Sequence, residues 1–357
     1  NPKENKMSKS EKEIVTAVLE DFKKRQEARR PVELNWRLNM NFVIGNQFAE
    51  ISPRGDVEEF GKEYFWQCRE VYNHVAPIIE TRLSKLARVK AQVSVRPSTA
   101  DDADAASATI ATKLISAVTA ENEFTTLMSE ANAWSEVTGC AFYKVSWDTE
   151  KGMALDASGT LKEGDVRITV CPPFEIFPEN IAITDIDSQP SVMQVKVMGV
   201  EEVYRNWNKR VEGTTLNVFT FENADVTGGF GYRSTAAGIG TEKRDDAVVV
   251  IELYQLPTDD YPEGRLVIVA GETLVHDGPL PYINAGDGKR GYPFSKQVCL
   301  EALGNFFGAS VTERIIPVQR AYNAVKNRKH EFMNRIALGV LAVEDGSVDT
   351  DELLEEG

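Results

Sequence analysis

Apolar positions along this chain change period twice, from helical to alternating near Gly139 and back to helical near Ser310. At the amino end Ile14, Val18 and Phe22 recur at helical spacing behind Ser10 and Glu13, a capping-box pair, so residues 10 to 30 are expected to form an amphipathic helix. Pro31 is expected to end that helix and open a shorter one, which carries Val32, Leu34, Trp36, Met40, Val43 and Ile44 and stops at Gly45. Near Pro77 another helix sets Ile78, Leu83 and Leu86 on one face, and a short alternating strand is expected from Ala91 to Val95. The polar tract "STADDADAAS" reads as a loop or cap. Behind it Leu114, Ile115, Val118, Phe124, Leu127, Met128, Ala131 and Trp134 predict a helix pair around Asn122, closed by Gly139.

After Gly139 the runs "CAFYKVSWD", "DVRITVCPP", "SVMQVKVMG", "AVVVIELYQLP" and "RLVIVAGETLV" are β-branched or aromatic and separated by Gly, Pro and Asp turns. "VEEVYRNWNKR" interrupts them as a short helix. The pattern is α+β: a mostly antiparallel β region with helices before and after it.

The last periodic stretch opens on a second capping box, Ser310 with Glu313. Ile315, Val318, Tyr322, Val325, Lys329, Phe332 and Ile336 then alternate spacings of three and four, a heptad seam interrupted by Lys329. From Ser310 to Leu338 such a helix would extend roughly 40 Å, more than a small domain covers, so something outside the local fold is expected to cover the seam. Pro317 removes an amide donor and should kink or divide the helix. Arg314, Arg320, Lys326, Arg328, Lys329 and Arg335 form a basic face, opposed by Glu313 and Glu331; it can be solvated, pair with another subunit or contact phosphate. The strand-like "LGVLAV" and an acidic tail follow, as on a stalk with a projecting unit.

With 42% hydrophobic and 27% charged residues over 357, the chain has enough apolar material for two or three packed units. Its net charge of -15 argues against a nucleic-acid coat or a membrane-surface binder, which gain affinity from positive charge. No stretch suggests a membrane span. Cys68, Cys140, Cys171 and Cys299 form no CxxC pair, so a reduced compartment without a zinc or disulfide framework is expected. The sequence begins at Asn1 and stops without a closing element, and both ends are expected to be trimmed.

Chemistry is sparse. His74, His276 and His330 stand far apart, no GxSxG motif supports a nucleophile, and the glycine-rich stretch "TGGFGYRSTAAGIGTEKRDD" lacks phosphate-loop spacing. No cofactor and no catalytic residue are expected. An alternative, a metal-dependent phosphodiesterase, would need Asp101, Asp102, Asp185 and Asp187 to converge. Asp345, Ser347, Asp349, Asp351 and Glu356 approach calcium-loop spacing, but Thr350 replaces the glycine. A third reading is a DNA-binding module using the basic 314–335 helix.

Taken in order, several segments resemble bacteriophage portal proteins, closest to the podovirus type. "FFGASVTERIIPVQRAYNAVKNRKHEFMNR" is similar to the family's stem helix through Gly308, Ser310, Pro317, Gln319, Tyr322 and Asn323, and "LAVEDGSVDTDELLEEG" looks like the start of the clip. "NWRLNMNFVIGNQF" resembles the amino-terminal helix ending in Gly-x-Gln (Gly45, Gln47). "VYNHVAPIIETRLSKLARVKAQVSVRP" is similar to the Asn-x-x-x-Pro helix leading to a Val-x-Pro strand, "TGCAFYKVSWD" to the Gly-led strand, and "GYPFSKQ" to the Pro-Phe lead into the stem. The chain stops where family members continue, and Lys329 has no counterpart in the pattern.

The resemblance implies an amino-terminal helical arm (1–50), an α+β wing (51–305), a stem helix (306–340) and the start of a clip (341–357). It implies a dodecameric homo-oligomer at the capsid vertex of the virion, assembled in the host cytoplasm, and it implies no enzyme activity. Its partners would be double-stranded DNA in the channel, the terminase large subunit, the tail adaptor, and capsid or scaffold proteins. Stem contacts would fall to Ile315, Pro317, Val318, Gln319, Tyr322, Asn323, Val325 and Phe332, and subunit or DNA contacts to Arg320, Lys326, Arg328, Lys329 and Arg335.

Overall fold

A computed structural model describes residues 9–53, 57–61, 67–89, 93–155, 162–218, 221, 243–283 and 288–337. The glycine-rich stretch, the "LGVLAV" run, and the calcium-like and clip segments of the tail fall mostly or wholly outside these residues. Over the described residues the chain is α+β, with six α-helices and antiparallel sheets. No helix among them is long and apolar enough to cross a membrane.

The first helix, α1 (Lys9–Ile44), is continuous over 36 residues with Pro31 inside it. The expected break does not occur. Pro31 costs the helix about 3 kcal/mol, but apolar burial on both sides of it outweighs that cost. Val15, Val18 and Phe22 enter one apolar cluster, and Trp36 and Met40 enter another.

Between the two groups sit Arg25 and Arg29, both buried. Arg29 Nη1 donates to the carbonyls of Pro173, Phe174 and Ile176 at 3.1, 2.8 and 3.1 Å, and its guanidinium lies 3.6 Å from the Phe177 ring centroid. Burial lowers its pKa to about 10, and the Glu33 carboxylate opposes that shift. Arg25 donates to Ser191 Oγ and to the carbonyl of Phe177. The two arginines thus fasten the helix to residues 173–177 and Ser191 by donating to their backbone carbonyls and hydroxyl.

After α1 come a small hairpin, β1 (Ala49–Ile51) with β2 (Val57–Glu59), and α2 (Val75–Leu86). Residues 93–97 form no strand, and Val93 and Val95 are exposed. The Val95 amide donates to Thr112 Oγ1 at 3.0 Å, so alternation without a neighbouring strand did not suffice. The acidic tract is helical from its second aspartate: Asp101 is the cap of α3 (Asp102–Glu121), and Asp102 and Asp104 lie in its first turn, where carboxylates suit the helix dipole. The expected helix pair is completed by α4 (Phe124–Thr138), which ends at left-handed Gly139.

The β region holds β3 (Cys140–Asp148), β4 (Asp165–Cys171), β5 (Ile176–Pro178), β6 (Ser191–Gly199), helix α5 (Val200–Trp207), β7 (Thr214–Asn217), β8 (Lys243–Gln255), β9 (Arg265–Ala270), β10 (Thr273–Gly278) and β11 (Phe294–Val298). Six strands pair in the order β10-β9-β8-β6-β5, with β7 also on β8, and three pair as β11-β3-β4. The run "RLVIVAGETLV" is two strands, because Gly271 turns the chain back on itself at φ +59°.

The larger sheet is covered on both faces, which explains runs such as "AVVVIELY". Val248, Val250 and Tyr254 face one cluster, while Ala247 and Ile251 face the other. Lys144 of β3 crosses to the larger sheet, donating to Glu252 Oε2 at 2.6 Å and Gln194 Oε1 at 2.7 Å. The long terminal helix, α6 (Val311–Ala337), closes the described chain, and Pro317 does not divide it.

Candidate functional site

The start of α6 is built by close backbone packing. Gly308 is left-handed, at φ +67°, and a Cβ there would lie 2.4 Å from Val298 Cγ1 and 2.8 Å from the Leu300 carbonyl oxygen. Only glycine permits that approach. Two residues later the buried Ser310 accepts the Glu313 amide at 2.9 Å on its Oγ, as the capping pattern requires. The same hydroxyl accepts from Asn39 Nδ2 of α1 at 3.1 Å, and Thr312 Oγ1 donates to the Glu136 carbonyl of α4 at 3.1 Å. The root of α6 is therefore fixed to two other helices.

Beyond the root, the buried face of α6 is polar. Gln319, Asn323 and Asn327 are buried at four-residue spacing, with Glu331 next in the column. The amides of His74, Tyr72, Glu70 and Cys68 donate to Gln319 Oε1, Asn323 Oδ1, Asn327 Oδ1 and Glu331 Oε1 at 3.2, 3.2, 3.2 and 2.9 Å. In return Gln319 Nε2 donates to the Tyr72 carbonyl at 2.7 Å and Asn327 Nδ2 to that of Glu70 at 3.1 Å. Four helical residues rise about 6.0 Å, and two extended residues span about 6.6 Å. One helix face thus acts as a neighbouring strand for an extended strap, Cys68 to His74, running antiparallel to it.

The ladder continues into the rest of the fold. Asn323 Nδ2 donates to Gln47 Oε1 at 2.6 Å, and Gln47 Nε2 donates to Asn73 Oδ1 at 2.9 Å. Asn73 Oδ1 also accepts the amides of Val75 and Ala76, opening α2. Gln47, Asn73, Gln319 and Asn323, drawn from three separate sequence motifs, form one connected set of amides. Nothing in their spacing announces it.

Alternate strap residues share a face, and helix residues at four-residue spacing cover it. Tyr322 packs edge-on against His74 and Tyr72, with ring centroids 4.8 and 6.3 Å apart. Lys326 Nζ lies 5.7 Å from the Tyr72 ring and 5.4 Å from the Tyr322 ring. Tyr72 Oη donates to Glu70 Oε2 at 2.7 Å, and His330 Nδ1 stands 3.4 Å from the same oxygen.

The other face of α6 is apolar and open. Val318, Val325, Phe332 and Met333 are 69%, 66%, 64% and 57% exposed, and Tyr322 is partly so. Ile315 is half-buried and Pro317 exposed. Of the basic residues, Arg320 turns inward: its Nη2 donates to the Ala49 carbonyl at 3.0 Å and its guanidinium lies over Phe42. Arg328 and Lys329 are exposed. The side chains of Arg335 and Ile336 lie outside the description.

The aspartates of the phosphodiesterase reading are dispersed. Asp101 and Asp102 open α3, whereas Asp185 and Asp187 line a cleft with Lys296. Burial, aided by Asp185, pushes the Asp187 carboxyl up. Among the described residues, the group of three or more His, Cys, Asp or Glu ligand atoms lying within 4.8 Å of one another is Cys68, Glu70 and His330. Cys140 and Cys171 are buried free thiols, both raised by desolvation.

The architecture defines a mixed α+β protein with antiparallel sheets and a long helix that buries polar side chains and exposes apolar ones. The chain matches no protein-family model, and no curated protein matches it.

Proposed function

We propose that this chain is a subunit of a portal-type ring, a conduit for double-stranded DNA at a capsid vertex, with α6 as its stem and residues 51–305 contributing the wing. The observation that carries the reading is the inverted helix. Its polar face is satisfied within the chain, and the apolar side chains Val318, Val325 and Phe332 are left exposed on the seam, with Tyr322 at its edge packed on the strap. A helix of this kind gains by packing its seam on a copy, and rotational closure yields a ring.

The acidic net charge supports the same reading, because a negative channel lets the DNA backbone slide where a basic one would hold it by counterion release. The conduit would be passive, with ATP hydrolysis in a terminase, and the tail adaptor and capsid or scaffold proteins as further partners. Negative-stain electron microscopy of the purified protein tests the proposal. Annular particles with a central hole are the expected result; uniform monomers would overturn it.

A further inference from the structure

We propose that Cys68, Glu70 and His330 form a binding site for a borderline-soft divalent ion, zinc foremost, which pins the start of the strap to the far part of α6. The three ligand atoms already lie within 4.8 Å of one another. The Glu70–His330 separation of 3.4 Å matches the roughly 3.3–3.8 Å edge of a tetrahedral zinc site with ligands at about 2.0–2.3 Å. The thiol, within 4.8 Å of both, would have to close by no more than about 1–1.5 Å to reach that edge.

The ladder makes the arrangement reproducible. Glu331 fixes the amide of Cys68, and Asn327 fixes both the amide and the carbonyl of Glu70. With the backbone held, residues 68 and 70 project on one face, and His330, one turn beyond Lys326, meets them there. Tyr72 Oη, donating to Glu70 Oε2, orients the carboxylate as an outer-sphere residue. Cys68 Sγ donates to Asn327 Oδ1 at 3.7 Å and holds no disulfide.

Thiolate and imidazole favour zinc over magnesium or calcium, which prefer oxygen. On binding, the metal–sulfur bond forms as the thiol proton leaves to solvent, His330 coordinates as neutral imidazole, and Glu70 supplies one oxygen. Three protein ligands leave the fourth position to water. Glu70 is exposed and the other two are half-buried, so the ion has a route in. The site joins residues separated in sequence by most of the chain and makes the packing of the strap on α6 responsive to zinc.

The test is titration of chelator-treated protein with zinc by calorimetry and with cobalt by absorption spectroscopy. The expected result is one ion per chain, a thiolate-to-cobalt charge-transfer band and a raised Tm. Cys68→Ser and His330→Ala should each remove the band, while Tyr72→Phe should weaken binding about 10-fold. Circular dichroism should show both ligand variants folded; His330 lies at the surface edge of the helix, so its replacement keeps the test valid if Cys68→Ser unfolds. Absence of the charge-transfer band in the wild type, or binding unchanged in His330→Ala, would overturn the proposal. Ring formation is read separately by microscopy, so either proposal can fail alone.

Discussion

Asn323 and Gln47, 276 residues apart in the chain, share a 2.6 Å hydrogen bond from Asn323 Nδ2 to Gln47 Oε1. Asn323 also accepts from the Tyr72 amide and from Gln319 Nε2, so one buried side chain joins α6, the strap and the turn after α1. Its replacement by Leu leaves several buried groups without partners. The expected loss is about 2–4 kcal/mol, measured by urea denaturation, because each orphaned buried group costs about 1–3 kcal/mol. A loss below 1 kcal/mol would show that water replaces the ladder freely.

Arg29 sits under a different kind of load. Arg29→Met keeps much of the aliphatic volume against Phe177 but strips three carbonyls and Glu33 of their donor. Removing one member of a buried ionic group costs about 3–5 kcal/mol, and thermal unfolding should show it. Wild-type stability in this variant would mean that Arg37 and apolar contacts suffice.

The open seam predicts a change in assembly rather than in folding. Val318→Asp with Val325→Asp alters two exposed positions, so the monomer's Tm should shift little. If the protein forms the proposed rings, the same pair should abolish them, as read by light scattering after size exclusion. Persistence of rings would exclude the seam from the subunit contact.

Two left-handed glycines near the root of α6 provide a controlled comparison. A Cβ on Gly308 meets Val298 and the Leu300 carbonyl, whereas one on Gly304, at φ +68°, meets nothing within 4 Å. Both alanine variants bear the backbone cost of about 1–2 kcal/mol, and Gly308→Ala should lose clearly more. Equal Tm values would mean that the packing beside Gly308 yields.

A pH dependence follows from Asp277. Its hydrogen bond from Arg265 holds the carboxyl below the usual aspartate range. A depressed acid contributes stability fully present above its unfolded pKa, near 3.9, and lost as pH falls through its folded value. The stability gap between wild type and Asp277→Asn should therefore be open at pH 6 and close below about pH 4. A gap constant over that range would refute the coupling.

How much of this was legible in the sequence depends on which neighbours each residue needed. The strands of the buried sheet and the apolar seam of α6 carry their period locally, and both could be read. Pro31 is a local stop signal overruled by distant packing from Trp36 and Phe22, so the split helix was expected wrongly. The Val93–Val95 alternation lacked a strand to pair with. Gln319, Asn323 and Asn327 were harder still: polar residues on a helix ordinarily indicate solvent, and only the strap turns them inward. Cys68 and His330 show the same limit, since their proximity depends on the strap's register.

The four-rung ladder contains a small vernier. Each rung of the strap outruns its helical counterpart by roughly 0.6 Å, so the two rulers drift by about 2 Å from first rung to last. If the middle rungs are aligned, the outer ones must reach farther. The side chains follow that demand: the inner rungs are the short Asn323 and Asn327, and the outer ones are Gln319 and Glu331, each longer by one methylene. A fifth rung at the same spacing would be out of step by roughly 1.5 Å, and the strap leaves the column at His74, where α2 begins. The arithmetic of two repeating backbones thus accounts for the order of side-chain lengths along the joint.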